Sequence, residues 1–188
     1  MQAACQLALT LYCVDMSIRI TNPSSSDPEA EQIAVLFVCL GNICRSPLAE
    51  GLFRRSVQTA GLAERFFIDS SGTSPWHVGQ APDPGSIAVA AKHGIDISMQ
   101  RARNLREDDG ERFHWVVCLD ASNKRVVGAR IEPKELFLLR DVDPLRSGTG
   151  VPDPYGGSSQ AFDECFEIIE RCMEPLLERV LQVKKLSV

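Results

Sequence analysis

The sequence predicts an α/β fold in three layers, a four-stranded parallel sheet with helices on both faces. Three observations predict it. Short β-rich runs and helix-forming segments alternate four times along the chain, the pattern of parallel strands joined by helical crossovers. The first run, Ile33 to Cys39, passes into a turn holding Gly41 and Asn42, and Ser46-Pro47 then opens a helix. Three residues able to do chemistry, Cys39, Ser71 and Asp120, fall at or just beyond strand ends, where open parallel sheets bind their ligands.

The 188 residues suffice for one domain, and a hydrophobic content of 44% fits an ordinary globule. A formal charge of -5 argues against nucleic acid as a main partner, because a polyanion needs a basic face. The seven cysteines are an odd set without the spacing of a small disulfide scaffold, so a reducing, cytoplasmic compartment is expected. No Cys-x2-Cys pair occurs and His77, His93 and His114 are scattered, so neither a metal site nor a cofactor is expected. Residues 1–32 stand apart from the pattern. Ala3 to Val14 is mostly apolar but too short to span a bilayer, and Thr21 to Gln32 reads as a flexible linker. The segment is expected to be a disordered N-terminal tail or an over-long gene start, with no membrane association, and the folded domain to occupy residues 33–183.

The first strand, loop and helix carry the densest chemical signal. A helix start leaves backbone N–H groups without partners and carries partial positive charge, so a loop in front of it is a ready site for an oxyanion such as phosphate. Here that loop, Leu40-Gly41-Asn42-Ile43-Cys44, lies between Cys39 and Arg45. Helix N-termini and nearby cations favour the thiolate form of a cysteine, so Cys39 is expected to act as a nucleophile at neutral pH. Arg45 has the planar fork that grips two phosphate oxygens at once, and tightens as charge builds in the transition state. Ser46 is expected to cap the helix and to donate to the Cys39 sulfur.

Val-Cys-Leu-Gly-Asn-Ile-Cys-Arg-Ser-Pro-Leu-Ala-Glu, from Val38 to Glu50, resembles the phosphate loop of the low-molecular-weight protein tyrosine phosphatases. The resemblance implies a phosphotyrosine protein substrate, a phosphocysteine intermediate and a strand-loop-helix phosphate-binding loop built from residues 39–46. It also implies a monomer, with tyrosine kinases of polysaccharide-export systems among the candidate partners.

The remaining elements follow in order. Leu48, Leu52, Phe53 and Val57 recur at helical spacing, and Gly61 ends that helix. Phe66 to Asp69 is the second strand. By resemblance, Trp76 on the loop that follows forms one wall of the substrate slot; read on its own, it pins the loop to the core. Pro82 to Gly94 reads as a helix. The resemblance also implies that His93 and Ser71 hydrogen-bond Asn42 and so hold the phosphate loop in shape, with Asn42 in the left-handed region that asparagine tolerates. Ser71 is set against its neighbour Ser70 by alignment alone. His114 to Leu119 is the third strand, Asp120 to Ala129 a helix with Asp120 as its N-cap, and Leu136 to Leu139 the fourth strand.

Asp141 to Ser159 is a long loop rich in Asp, Pro and Gly, as functional loops often are. A phosphatase needs an acid to protonate the departing phenolate and later to activate water. Val-Pro-Asp-Pro-Tyr-Gly resembles the family's acid loop, which selects Asp153 and leaves Asp143 as the fallback. Tyr155 is then the wall opposite Trp76. Many members carry a second tyrosine here, whereas this chain has Gly156 and Gly157, which resembles the bacterial style. Ser158 to Val183 closes the domain as an amphipathic helix, with Phe162, Phe166, Ile169, Met173, Leu176, Leu177 and Val180 on its core face and a kink expected at Pro175.

Two neighbouring activities are weighed against this. Protein-arginine phosphatases resemble the domain throughout but carry threonine where this chain has Ile43, and tend to have phenylalanine in place of Tyr155. Thioredoxin-coupled arsenate reductases share the loop but use extra cysteines and lack the Asp-Pro-Tyr acid; on one helix Cys165 and Cys172 would stand about 10 Å apart, beyond disulfide reach. Cys44 has two readings. It traps an oxidised Cys39 as a disulfide, or it fills space beneath the loop.

Overall fold

The computed structural model describes residues 32–146 and 148–185, without the side chains of residues 183–185. The expected tail, with Cys5 and Cys13, lies outside the described residues apart from Gln32.

Four parallel strands form one sheet in the order β2-β1-β3-β4: β1 Ile33–Cys39, β2 Phe66–Gly72, β3 Trp115–Cys118 and β4 Glu135–Leu138. Every residue of β1 is buried, as expected of a central strand covered on both faces. Its alternation divides the interior. Ile33, Val35, Phe37 and Cys39 face one core with α1 (Arg45–Thr59), α2 (Pro84–Lys92) and α5 (Ser159–Lys185); Ala34, Leu36 and Val38 face a second core with Val127 of α4 (Ala121–Arg130). A single helical turn, α3 (Asp109–Arg112), precedes β3. Ala63–Arg65 and Leu139–Val142 are short 3-10 turns.

Helices thus lie on both faces, and the chain leaves β1 toward β2 on one side while β3 and β4 lie on the other. The crevice at the C-terminal end of β1 is the point where strand order reverses, the usual ligand position in such sheets.

The expected α5 face is in place: Phe162, Phe166, Ile169, Met173, Leu176 and Val180 are buried in the first core, with Leu177 packed at its edge. Each such side chain contributes about 1.5–3 kcal/mol when fully buried, which makes this helix a main support of the layer carrying the loop. Pro175 lies inside the helix, which continues to Lys185. Differences from the sequence expectation are small at the other ends. β2 extends to Gly72 rather than Asp69, and α2 is shorter, ending at Lys92 with His93 as its C-cap and Gly94 at φ 72°. Among the described residues no helix is long and apolar enough to cross a membrane, and no cluster of His, Cys, Asp and Glu could hold a metal ion.

Candidate active site

The loop after β1 is turned by Asn42, whose φ of 57° is the expected left-handed conformation. Four carbonyls along it are taken up by the scaffold. Cys39 O accepts from Thr73 N–H at 2.9 Å, Leu40 O from Ser74 N–H at 3.0 Å, Ile43 O from Asp83 N–H at 2.8 Å, and Cys44 O from the Ser86 hydroxyl at 3.3 Å. With the acceptors engaged behind the loop, its N–H groups and the start of α1 are what remain for an anion. The Asn42 N–H itself donates to Cys39 Sγ at 3.2 Å.

Ser46 stands 3.1 Å from the same sulfur. Its oxygen accepts from Asn42 Nδ2 at 2.9 Å, and its one proton has two acceptors in reach, Sγ at 3.1 Å and the Ser71 carbonyl at 3.4 Å. The expected helix cap by Ser46 is not formed: α1 begins at Arg45, so Cys44 is the N-cap, with no side-chain cap bond, and Ser46 lies inside the first turn with its hydroxyl on the sulfur and Asn42.

Arg45 is 3% exposed. Nη1 donates to Asp120 at 2.7 Å and to the Val151 carbonyl at 3.1 Å, and Nη2 donates to Asp153 at 2.6 Å. Burial alone would lower its pKa, but the charges of Cys39, Asp153 and Asp120 outweigh it and hold the guanidinium above the ordinary arginine value. Arg45 Nε is buried with no acceptor. Asp120 is the expected N-cap, accepting from Asn123 N–H at 2.8 Å, and in addition orients Arg45. Burial pushes its carboxyl up, yet Ser122, the Asn123 N–H and Arg45 hold it below the usual carboxylate range.

Cys39, Leu40, Gly41, Ile43, Cys44, Trp76, His77, Asp153 and Tyr155 line one cleft, a cavity of about 80 Å³. Trp76 and Tyr155 flank it and are 70% and 63% exposed, so Trp76 does not pin its loop to the core. His77 is a wall that sequence reasoning missed. Its ring packs so closely on Gly41 that a Cβ there would meet it at 2.9 Å.

Two expected supports are corrected. Asn42 Nδ2 donates to Ser70 Oγ at 2.9 Å, not to Ser71, whose hydroxyl is buried without a partner. The parallel register explains this: Ser70 lies beside Phe37, on the Cys39 face of the sheet, whereas Ser71 lies beside Val38 on the opposite face. His93 does not reach Asn42 either; it caps α2 and stacks on Phe166 at a centroid distance of 4.1 Å. The remaining support comes from residues without a sequence signal for it. Asn42 Oδ1 accepts from Arg103 N–H at 2.8 Å, and Ser70 donates to the buried Glu50 at 2.7 Å. Burial raises the Glu50 carboxyl, against the lowering effect of Ser70 and Arg54.

Asp143, the fallback acid, is excluded from that role. Its side chain is fully buried and gripped by Arg140 and Arg171. Burial pushes its pKa up, but Arg171, the Leu145 N–H and Arg140 prevail and hold it well below the usual range. The other described cysteines are also poorly suited to chemistry. Burial pushes the thiols of Cys118, Cys165 and Cys172 up to about 12, which suits packing rather than a reductase relay. Cys44 is buried, and burial followed by the charges of Asp83 and Asp153 raises its thiol well above the ordinary value.

Comparison with known proteins agrees with this geometry. Residues 34–186 match the family model described as low molecular weight phosphotyrosine protein phosphatase. A low molecular weight protein-tyrosine-phosphatase of Streptomyces coelicolor is 42% identical over 153 residues, spanning 78% of this chain and 92% of the relative. The low molecular weight phosphotyrosine protein phosphatase of the pig is 37% identical over 158 residues, spanning 80% and 99%. The crystal structure of a protein tyrosine phosphatase from Entamoeba histolytica superposes with a TM-score of 0.77 at 31% identity, covering 81% of this chain and 99% of that one. The chain is a member of the low molecular weight phosphotyrosine protein phosphatase family.

Proposed function

We propose that this phosphatase cleaves phosphotyrosine with Cys39 as nucleophile, Arg45 as phosphate clamp and Asp153 as acid and base. The observation that carries the assignment is the buried, unpartnered Nε of Arg45, whose Nη1 and Nη2 are held by Asp120 and Asp153, a donor that a phosphate oxygen would satisfy.

Cys39 Sγ attacks phosphorus, the bond to the phenolic oxygen breaks, and Asp153 gives its proton to that oxygen. The resulting carboxylate takes a proton from water, which attacks the phosphocysteine and releases inorganic phosphate. Ser46, whose Oγ stands 3.1 Å from Sγ, stabilises the departing thiolate in this second step by turning its hydroxyl proton to the sulfur. Trp76 and Tyr155 hold the aromatic ring between them. Ile43 lines the cleft with an apolar side chain that offers no hydroxyl to a phosphoramidate, which favours the aromatic ester over phosphoarginine. The setting we infer is a cytoplasmic monomer acting on phosphotyrosine proteins, tyrosine kinases among them.

The test is phosphate release from matched peptides bearing phosphotyrosine, phosphoarginine or phosphoserine, with and without EDTA, by the wild type and Cys39→Ser. Release from phosphotyrosine alone, indifferent to EDTA and absent from the variant, is expected. Preference for phosphoarginine would overturn the role given to Ile43, and activity in Cys39→Ser would overturn the nucleophile.

A further inference from the structure

The described residues of 143–158 carry Asp153 without forming a helix or strand. Their path must nevertheless be fixed, because a catalytic group displaced by about 1 Å can lose about 100-fold in rate. The fixing contacts run along the segment. Asp143 accepts from Arg140 Nε at 2.8 Å, from Arg171 Nε at 2.9 Å and Nη2 at 3.1 Å, and from Leu145 N–H at 3.0 Å. Arg140 extends the clamp by donating from Nη1 to the Gly150 carbonyl at 3.2 Å. Gly150 itself approaches Asp120 so closely that a Cβ on it would lie 2.8 Å from the Asp120 Cβ. Val151 N–H then donates to Leu119 O at 2.7 Å, and Arg45 holds the Val151 carbonyl and Asp153.

We propose that Arg140 and Arg171 are positioning residues for catalysis: their shared grip on Asp143 fixes the approach of residues 150–153 and so places the Asp153 carboxyl against the leaving group. The proposal rests on Asp153 being the general acid. A positioning role leaves a kinetic signature that a purely structural ion pair does not. A leaving group that must be protonated responds to the place of the acid, and one that departs as a stable anion does not.

The experiment compares kcat/KM for phenyl phosphate, a poor leaving group, with dinitrophenyl phosphate, a good one. It uses the wild type, Arg171→Ala, Arg171→Lys, Asp153→Asn and the double variant Asp153→Asn/Arg171→Ala. Arg171 is 29% exposed at its side chain, so its replacement does not open the core. In Arg171→Ala, phenyl phosphate is expected to lose about tenfold or more while dinitrophenyl phosphate stays within about threefold. Arg171→Lys, which keeps the charge and one bond, restores part of the loss, and in the Asp153→Asn background the Arg171 change adds no selective effect. Equal losses on both substrates, or no loss on either, would overturn the proposal. Should Arg171→Ala not fold, Arg171→Lys carries the same comparison, with a smaller selective loss expected and an equal loss on both substrates counting against it. Failure of Asp153→Asn to distinguish the two substrates would instead remove the acid assignment on which the proposal rests.

Discussion

The phosphate loop and the loop carrying Asp153, the proposed acid, face each other across one cleft but are supported differently. Asn42, Ser46 and Ser70 hold the phosphate loop through neutral hydrogen bonds, and the carboxyl group of Glu50 enters only at the far end of that chain. The acid loop is held by ion pairs, Arg45 with Asp153 and Asp120, and Asp143 with Arg140 and Arg171. The contrast has a physical reason. A loop that receives a phosphate gains nothing from a second anion beside the nucleophile, so its frame is built from amides and hydroxyls. A long segment without regular structure has few backbone bonds to fix it, and charge-assisted bonds are roughly twice as strong as neutral ones.

Arg45 belongs to both regions and should therefore show the largest effect. Arg45→Lys replaces the fork with a point charge, which cannot hold Asp120, Asp153 and phosphate together. A loss of about 1,000-fold in kcat/KM on a phosphotyrosine peptide is expected, at the upper end of what one transition-state donor contributes. A loss below about tenfold would show that the two regions are not joined through this side chain.

Asn42→Ala comes next. It removes the bonds to Ser46, Ser70 and Arg103 and puts alanine, which lacks asparagine's tolerance of the left-handed region, at φ 57°, a strain of about 1–2 kcal/mol. A loss of about 100-fold in kcat/KM is expected, equal for phenyl and dinitrophenyl phosphate, because the loop serves the nucleophile and not the leaving group. Asn42→Gly relieves the strain alone, so the part of the loss it fails to restore measures the hydrogen bonds. A leaving-group dependence in either variant would break the division between the two regions.

Ser70→Ala and Ser71→Ala sharpen the comparison within one strand. Ser70 links Asn42 to Glu50, and its removal should cost about 1 kcal/mol of stability with a matching loss of activity. The Ser71 hydroxyl is buried without a partner, so Ser71→Ala should be neutral or stabilising in urea unfolding. The reverse order would restore the assignment expected from resemblance.

These serines also show where the sequence was legible. The alternation of elements, the apolar run of β1 and the core face of α5 could all be read from local periodicity, whereas the left-handed Asn42 was read through likeness to a known family, with asparagine's tolerance of that region in its favour. Asp153 was read only through likeness to a known loop, since four Asp-Pro pairs occur and nothing local separates them. Ser70 was within reach: Phe66 and Ile68 are buried while Asp69 is not, and parity carries Ser70 to the same face. The Arg103 N–H was not, because it comes from a loop 61 residues beyond Asn42 and a backbone group leaves no mark in composition. Nor was the second role of Asp120, which a residue read as a helix cap conceals.

Glu50 gives the smallest effect, and its sign is the information. Its folded pKa is raised above the ordinary value of 4.5, so the protonated form is favoured in the native state. Its contribution to stability is fully present below that value and is lost as pH rises through the folded pKa. Asp120 and Asp143 behave oppositely. Their folded values lie below the ordinary 3.8, so their contribution is present above it and is lost as pH falls through the folded values. Glu50→Gln keeps the shape and removes the titration. Urea unfolding from pH 4 to 8 should therefore show the variant gaining on the wild type as pH rises, with the two converging toward the acid end. A difference that stays constant over that range would mean that Glu50 ionises as it does in the unfolded chain, and the neutral frame of the phosphate loop would then end at Ser70.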